Sequence, residues 1–114
     1  MTRLIETLLY TLKPGTGGEF DRIMHETSVP LHRRHGMDVV AYGPSLHDPD
    51  AYVLIRAYRS LDHLRDSQDA FYLSEDWREG PRSAIVERIE ASLKAVSELP
   101  AASVDALRGM RRPA

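Results

Sequence analysis

Arg56 is the residue whose setting most favours ligand chemistry. It alternates with Leu54 and Tyr58 in a β-branched and aromatic run, so it should share one sheet face with them. A guanidinium on an apolar face needs a counter-charge or a bound anion. Two interpretations follow: an ion pair with Glu6 across the sheet, or an anchor for an anionic or carbonyl group of a ligand.

Aromatic residues are predicted to line the same space. Tyr10, Tyr42 and Tyr58 lie in strand-like segments, and Trp77 lies in a segment that could close over the site. Each also has a structural interpretation, because aromatic residues on a sheet usually form core and tryptophan chiefly supplies buried area. The expected ligand-binding residues are Arg56, Tyr10, Tyr42, Tyr58, Trp77 and His35.

Three histidines, His25, His32 and His35, lie in one helix-like segment, and histidine is a common metal ligand. At about 100° per residue, however, His25 and His32 fall well away from the apolar stripe, so they should face water. His35 falls closer to that stripe, near the helix C-terminus. We therefore predict a pocket position for His35, no metal site and no cofactor.

Composition argues against several other classes of chemistry. The 114 residues include no cysteine, which excludes thiol nucleophiles, disulfides and thiolate metal sites. A net charge of -2 gives no basic stripe for nucleic acid. No apolar run reaches the ~18 residues of a membrane span, and the first residues do not form an export signal. We expect a cytoplasmic protein with no nucleic-acid or membrane partner.

The elements that must position these residues follow a β-α-β-β-α-α-β order, with one helical segment added to the split β-α-β-β-α-β pattern. Strands are predicted at 4–12, 37–46, 51–59 and 92–99. Helices are predicted at 18–35, 60–74 and from Pro81 through Ile89. The fold class is therefore α+β, a ferredoxin-like antiparallel sheet over 1–100. A C-terminal extension, 101–114, should end in a frayed tail at Arg111 and Arg112.

Both faces of the predicted sheet are apolar. Two crossover helices cover one face only. The uncovered face is expected to carry Leu8, Tyr10, Tyr42, Leu54 and Tyr58. Because a monomer seldom leaves such a patch in water, we predict a homodimer whose sheets pack face to face across a two-fold axis.

A set of short motifs spans most of the chain. They are Glu6, Tyr10-Thr11-Leu12-Lys13-Pro14-Gly15, Pro30-Leu31, Arg34-His35-Gly36, Tyr58, Ser60-Leu61 and Trp77. Their order and spacing resemble those of NIPSNAP-like proteins, which belong to the dimeric α/β barrel superfamily. The resemblance implies a ferredoxin-like subunit and a dimer with an enclosed cavity. Leu8 and Arg56 stand where many relatives have an arginine and a tryptophan, so the cavity chemistry is expected to differ.

The residues and the resemblance together predict binding of a small apolar or aromatic molecule in the barrel cavity. Whether the protein is an enzyme stays open. The wider superfamily implies one alternative, a cofactor-independent monooxygenase, although several such enzymes rely on an asparagine and this chain has none. The other alternative is a non-catalytic structural or interaction protein whose barrel is filled by its own side chains.

Overall fold

A computed structural model describes residues 1–112 as a four-stranded antiparallel sheet with helices packed on it. The strands are β1 Thr2–Leu12, β2 Asp38–Pro44, β3 Ala51–Tyr58 and β4 Ile89–Pro100. The helices are α1 Gly17–Ile23, α2 Val29–Arg34, α3 Leu61–Tyr72, α4 Glu75–Arg78, α5 Arg82–Val86 and α6 Ala101–Leu107. The strand order β2-β3-β1-β4 confirms the α+β, ferredoxin-like prediction.

The first predicted helix is divided by a π-helical turn, Met24–Ser28, between α1 and α2. Pro30 has no N–H, and in a regular α-helix its ring would collide with the carbonyl four residues earlier. The backbone widens just before it, and the Val29 N–H donates to the Met24 carbonyl five residues back. This extra residue rotates the following side chains by roughly 100° relative to an uninterrupted α-helix.

The region between α3 and β4 also differs from the prediction. The predicted helix through Ile89 was wrong, because α5 ends at Val86 and Ile89 opens the last strand. That strand is consequently longer than the predicted 92–99. The predicted cap of α3 is confirmed, since Ser60 Oγ accepts the His63 N–H at 3.0 Å.

The helix side of the sheet carries the larger core. Leu8, Tyr42, Leu54 and Tyr58 are buried there under α1, α2 and α3, and Tyr10 packs against them. The prediction that these five residues lie on the uncovered face was therefore wrong. Strand alternation separated the two sets of residues correctly, but it carries no information about which set faces the helices.

The opposite side, called here the open face, is covered at one end by α6. Val104 of α6 is fully buried against Ile5 and Ile55. Strand register places the uncovered part of this face at Leu9, Thr11, Ala51, Val53, Ala91, Leu93 and Ala95. Leu9 and Leu93 are 50% and 72% exposed there.

The C-terminal tail is held in place as far as Arg112. Arg108 donates to both carboxylate oxygens of Asp38, at 2.7 and 2.9 Å. Arg112 does the same to Asp21, also at 2.7 and 2.9 Å. The tail therefore runs from α6 on the open face to α1 on the helix side, and the prediction of fraying was wrong for Arg112. The last two residues of the predicted extension, 113–114, lie outside the described residues.

Candidate functional site

A buried ion pair lies at the centre of the helix-facing side of the sheet. Glu6 on β1 and Arg56 on β3 are neighbours in the strand register, with 0% and 1% of their surface exposed. The Arg56 guanidinium donates from Nε to Glu6 Oε1 at 2.7 Å, and its Nη2 lies 2.6 Å from the same oxygen. The predicted ion pair across the sheet is confirmed.

The second carboxylate oxygen of Glu6 has two further partners. Gln68 Nε2 of α3 donates to Oε2 at 2.7 Å, and Lys94 Nζ of β4 lies 3.2 Å from it. Burial alone would raise the pKa of Glu6, but the Arg56 charge and these hydrogen bonds hold the pKa below its usual value. Glu6 is therefore ionised, and both of its oxygens are occupied.

The other side of Arg56 contacts two helices. Its Nη1 donates to the Tyr72 hydroxyl oxygen at 2.7 Å and lies 3.1 Å from His32 Nε2. An arginine N–H can only donate, so His32 Nε2 accepts and Nδ1 carries the hydrogen. Nδ1 in turn lies 2.7 Å from the Ser28 carbonyl oxygen. Burial, aided by the Arg56 charge, lowers the pKa of His32 to about 4, so this imidazole is neutral.

The position of His32 corrects a prediction. It was expected to face water, yet it is 2% exposed and stacks on Phe71 with ring centroids 4.3 Å apart. The π turn between α1 and α2 explains the difference, because it changes the helix phase between His25 and His32. His25 precedes most of the turn and is exposed as predicted, with Nδ1 2.5 Å from the Tyr42 hydroxyl.

The network reaches solvent between β4 and α3. We call this place the rim and define it by Tyr10, Gln68, Tyr72 and Lys94, which are half-buried or exposed. Burial and the neighbouring Tyr72 raise the pKa of Tyr10, so its hydroxyl stays protonated. The Tyr72 oxygen accepts from Arg56, which leaves the Tyr72 hydroxyl hydrogen available to a ligand.

Three of the residues predicted for the ligand site come together at this network. Arg56 lies at the centre of the network and Tyr10 lies at the rim. The Tyr58 hydroxyl oxygen accepts a hydrogen bond from Gln68 Nε2 at 3.2 Å. Burial raises the pKa of Tyr58 to about 12. A binding role for these residues stays a prediction.

The other three predicted residues lie elsewhere. Tyr42 lies under the Arg112 guanidinium, 4.6 Å from its ring centroid. His35 is exposed, with Nε2 3.1 Å from Asp76 Oδ2. Trp77 is 7% exposed and packs against Tyr72 with ring centroids 5.3 Å apart, so it supports the rim from behind.

Sequence reasoning missed four members of the network: His32, Gln68, Tyr72 and Lys94. A signal existed for two of them. Gln68 and Tyr72 are four residues apart on α3 and share the side that carries Leu64 and Phe71, so they are polar groups turned towards a core. The position of Lys94 could be predicted only with the register of β4 against β1, in which Lys94 pairs with Leu8.

Open space adjoins the rim on its Tyr72 side. A pocket of about 530 Å³ is lined there by Tyr72, Leu73, Glu75, Arg78, Glu79 and Arg82. A separate apolar trough of about 610 Å³ lies on the open face around Leu9, Val53 and Leu93.

The described part of the chain has neither a metal-binding cluster nor a membrane-spanning helix. Within residues 1–112, no group of three or more histidine, aspartate or glutamate side chains could hold a metal ion. No helix in the same range is long and apolar enough to cross a bilayer.

Solved structures with the same fold include several NIPSNAP proteins. A NIPSNAP family protein from Agrobacterium tumefaciens matches with a TM-score of 0.80 and 16% identity, over 90% of this chain and 90% of that one. A NIPSNAP-like domain protein from Burkholderia xenovorans matches with a TM-score of 0.77 and 18% identity, over 86% and 84%. A candidate antibiotic biosynthesis monooxygenase from Bordetella bronchiseptica matches with a TM-score of 0.62 and 20% identity, over 88% and 97%.

No protein-family model matches the sequence, and no curated protein matches it. These three structures share only 16–20% identity with the chain, so they support the fold and leave the function open. The chain has the fold of the NIPSNAP-like proteins that its motifs resemble, shared more distantly with monooxygenase-like proteins.

Proposed function

We propose that this protein is a homodimer that binds a small molecule with an apolar or aromatic body at the rim. The observation that carries the proposal is the Glu6–Arg56 network, a buried and hydrogen-bonded cluster whose outer members Tyr72 and Lys94 face solvent. A ligand at the rim would contact the polar end of this cluster directly.

A structural role alone explains the network poorly. Replacing a buried ion pair by apolar residues of similar volume is often neutral or stabilising, so packing alone does not require Glu6 and Arg56. The π turn is a second indication, because such turns are frequent at functional sites. Here the turn brings His32 into contact with Arg56. Both features suit a site that holds a polar group in a fixed position.

The aromatic surroundings of the rim suit a flat, apolar ligand body. Tyr72 meets Phe71 and Trp77 at ring-centroid distances of 5.2 and 5.3 Å. Aromatic pairs favour edge-to-face or offset-stacked arrangements, so a further aromatic group could pair with this cluster. Tyr72 presents its ring to the adjoining pocket.

The second copy in the proposed homodimer would cover the open face. The uncovered part of that face carries no charged side chain, and it includes the exposed Leu9 and Leu93. Four strands about 4.8 Å apart and roughly 30 Å long give a whole face of about 600 Å², and α6 covers one end of it, so the uncovered part is smaller than the ~800 Å² per partner of a standard interface. A two-fold pairing of the same face is the simplest way to bury it.

Trp77 provides the test of ligand binding. It is the single tryptophan of the chain and packs against Tyr72, so an aromatic molecule at the rim should change its fluorescence. We expect at least one of three probes, 2-naphthoate, 2-naphthylmethanol and 2-naphthylmethylamine, to give a saturable change. The change should weaken in Tyr72→Ala and persist in Tyr42→Phe, which alters a tyrosine away from the rim. Absence of saturable binding for all three probes would refute the proposal and favour a non-catalytic interaction protein.

A further inference from the structure

We infer that the ligand presents an anionic or strongly polarised oxygen to the rim, where Lys94 Nζ and the Tyr72 hydroxyl hold it. The inference rests on the proposed function and specifies the chemical class of its ligand: a carboxylate, an enolate or a phenolate attached to an apolar body.

The carboxylate and imidazole acceptors of the network are occupied. The two carboxylate oxygens of Glu6 are contacted by side-chain nitrogens of Arg56, Gln68 and Lys94. Nε2 of His32 receives an Arg56 N–H. The Tyr72 oxygen receives another. A ligand that brings only hydrogen-bond donors would therefore find the amide oxygen Oε1 of Gln68 and hydroxyl oxygens, but no charged acceptor.

Donors remain available at the rim. The Tyr72 hydroxyl hydrogen is free because its oxygen is the accepting partner of Arg56. Lys94 is 49% exposed and uses one of its three N–H donors on Glu6. A ligand oxygen placed between these two groups would receive two hydrogen bonds, one of them charge-assisted.

The charge balance favours the same ligand class. Glu6 contributes one negative charge, whereas Arg56 and Lys94 contribute two positive charges, and His32 is neutral. The cluster therefore carries one excess positive charge, located on its most exposed member, Lys94. A bound anion would neutralise it, and a cation would be repelled.

Arg56 acts through Tyr72 and is a positioning residue. Three of its N–H groups donate hydrogen bonds, one each to Glu6, Tyr72 and His32, and its Nη2 lies 2.6 Å from Glu6 Oε1. Its role as a direct ligand anchor, expected from the sequence, is thus taken over by Lys94 and Tyr72. Arg56 fixes the Tyr72 oxygen and thereby aims the hydroxyl hydrogen at the ligand.

Three naphthalene probes with the same ring system test the ligand class. In titrations followed by Trp77 fluorescence, 2-naphthoate should bind about tenfold more tightly than the neutral 2-naphthylmethanol, because a charge-assisted hydrogen bond adds to the shared ring contacts. The cationic 2-naphthylmethylamine should bind most weakly. If 2-naphthylmethanol binds as tightly as 2-naphthoate, the inference is wrong while the proposed function stands. If none of the three binds, the proposed function itself fails.

Two lysine variants identify the anchor. Lys94→Gln should weaken 2-naphthoate binding about tenfold and leave 2-naphthylmethanol binding unchanged. Lys13→Gln is the matched control, because Lys13 is the other lysine of the chain, is exposed, and gives the same change of net charge. Tyr72→Phe should act like Lys94→Gln. Equal effects of Lys94→Gln and Lys13→Gln would overturn the assignment.

Discussion

Arg56 donates to three side chains while almost fully buried, so its removal would change the state of each of them. Arg56→Leu would leave the buried carboxylate of Glu6 with Gln68 and Lys94 alone. We expect a loss of about 3–5 kcal/mol in the free energy of unfolding, the cost of an uncompensated buried charge. Urea titration at fixed protein concentration measures it. Arg59→Leu, the same substitution at an exposed site, should stay within about 0.5 kcal/mol of the wild type.

The double variant Glu6→Leu with Arg56→Leu separates pair loss from charge burial. With both charges gone, no carboxylate is left without its main partner, so the double variant should be more stable than Arg56→Leu alone. The same urea titrations, made on both single variants and on the double variant, give the coupling free energy between Glu6 and Arg56. Strictly additive losses from the two single variants would show that Glu6 and Arg56 do not act as a unit.

His32 should make stability depend on pH. Its pKa is lowered from 6.5 to about 4 in the folded state, so the unfolded chain binds the proton more tightly. The free energy of unfolding should therefore fall as pH decreases from about 6.5 to 4, by up to about 1.4 kcal/mol per pH unit from this group. In His32→Gln this part of the slope should vanish. Parallel pH profiles for the variant and the wild type, measured by urea unfolding, would contradict the assignment.

The Glu6–Arg56 pair could be predicted from the sequence because strand alternation is a local rule. Positions 6 and 56 fall on the same face as Leu8 and Leu54, and a charge there requires a partner. The contacts of His32 and Lys94 could not be predicted in this way. They depend on the helix phase after the π turn and on the register of β4, which are set by tertiary packing.

At the scale of elements, the π turn decides which way His32 points. Deleting one residue of the π turn should restore a regular α-helix. The residues after the turn should keep their positions around the helix axis. We expect deletion of the exposed Thr27 to give a folded protein, with a loss of about 3 kcal/mol because the Pro30 ring again meets a helical carbonyl. Adding Pro30→Ala should recover most of that loss. Urea unfolding and near-ultraviolet circular dichroism follow both changes.

A deletion in a regular helix provides the control. Removing the exposed Asp66 from α3 would rotate Gln68, Phe71 and Tyr72 by roughly 100° out of their contacts, and this variant should not fold stably. Similar stability of the two deletion variants would mean that the π turn has no special tolerance for length change.

Across the whole molecule, the two sheet faces differ in the size of their side chains. The helix side carries Tyr52, Leu54, Arg56 and Tyr58 from β3, whereas the open face carries alanine, valine and isoleucine from the same strand. The alternation that predicts two apolar faces is symmetric, so it could not assign the helices to one of them. The smaller β3 residues on the open face and the larger ones on the helix side are both visible in the sequence.

The open face leads to a prediction about association. Leu93 is 72% exposed at the uncovered end of that face, so in a face-to-face dimer Leu93→Glu would place a carboxylate in each copy against apolar surface. Burying such unpaired charges should weaken the dimer at least about 100-fold. Leu73→Glu is the matched control, because Leu73 is 71% exposed at the end of α3, away from the open face. Sedimentation equilibrium at micromolar concentration should show a dimer for the wild type and Leu73→Glu, and a monomer for Leu93→Glu. A wild-type monomer, or equal behaviour of the two variants, would mean that a second copy does not cover this face.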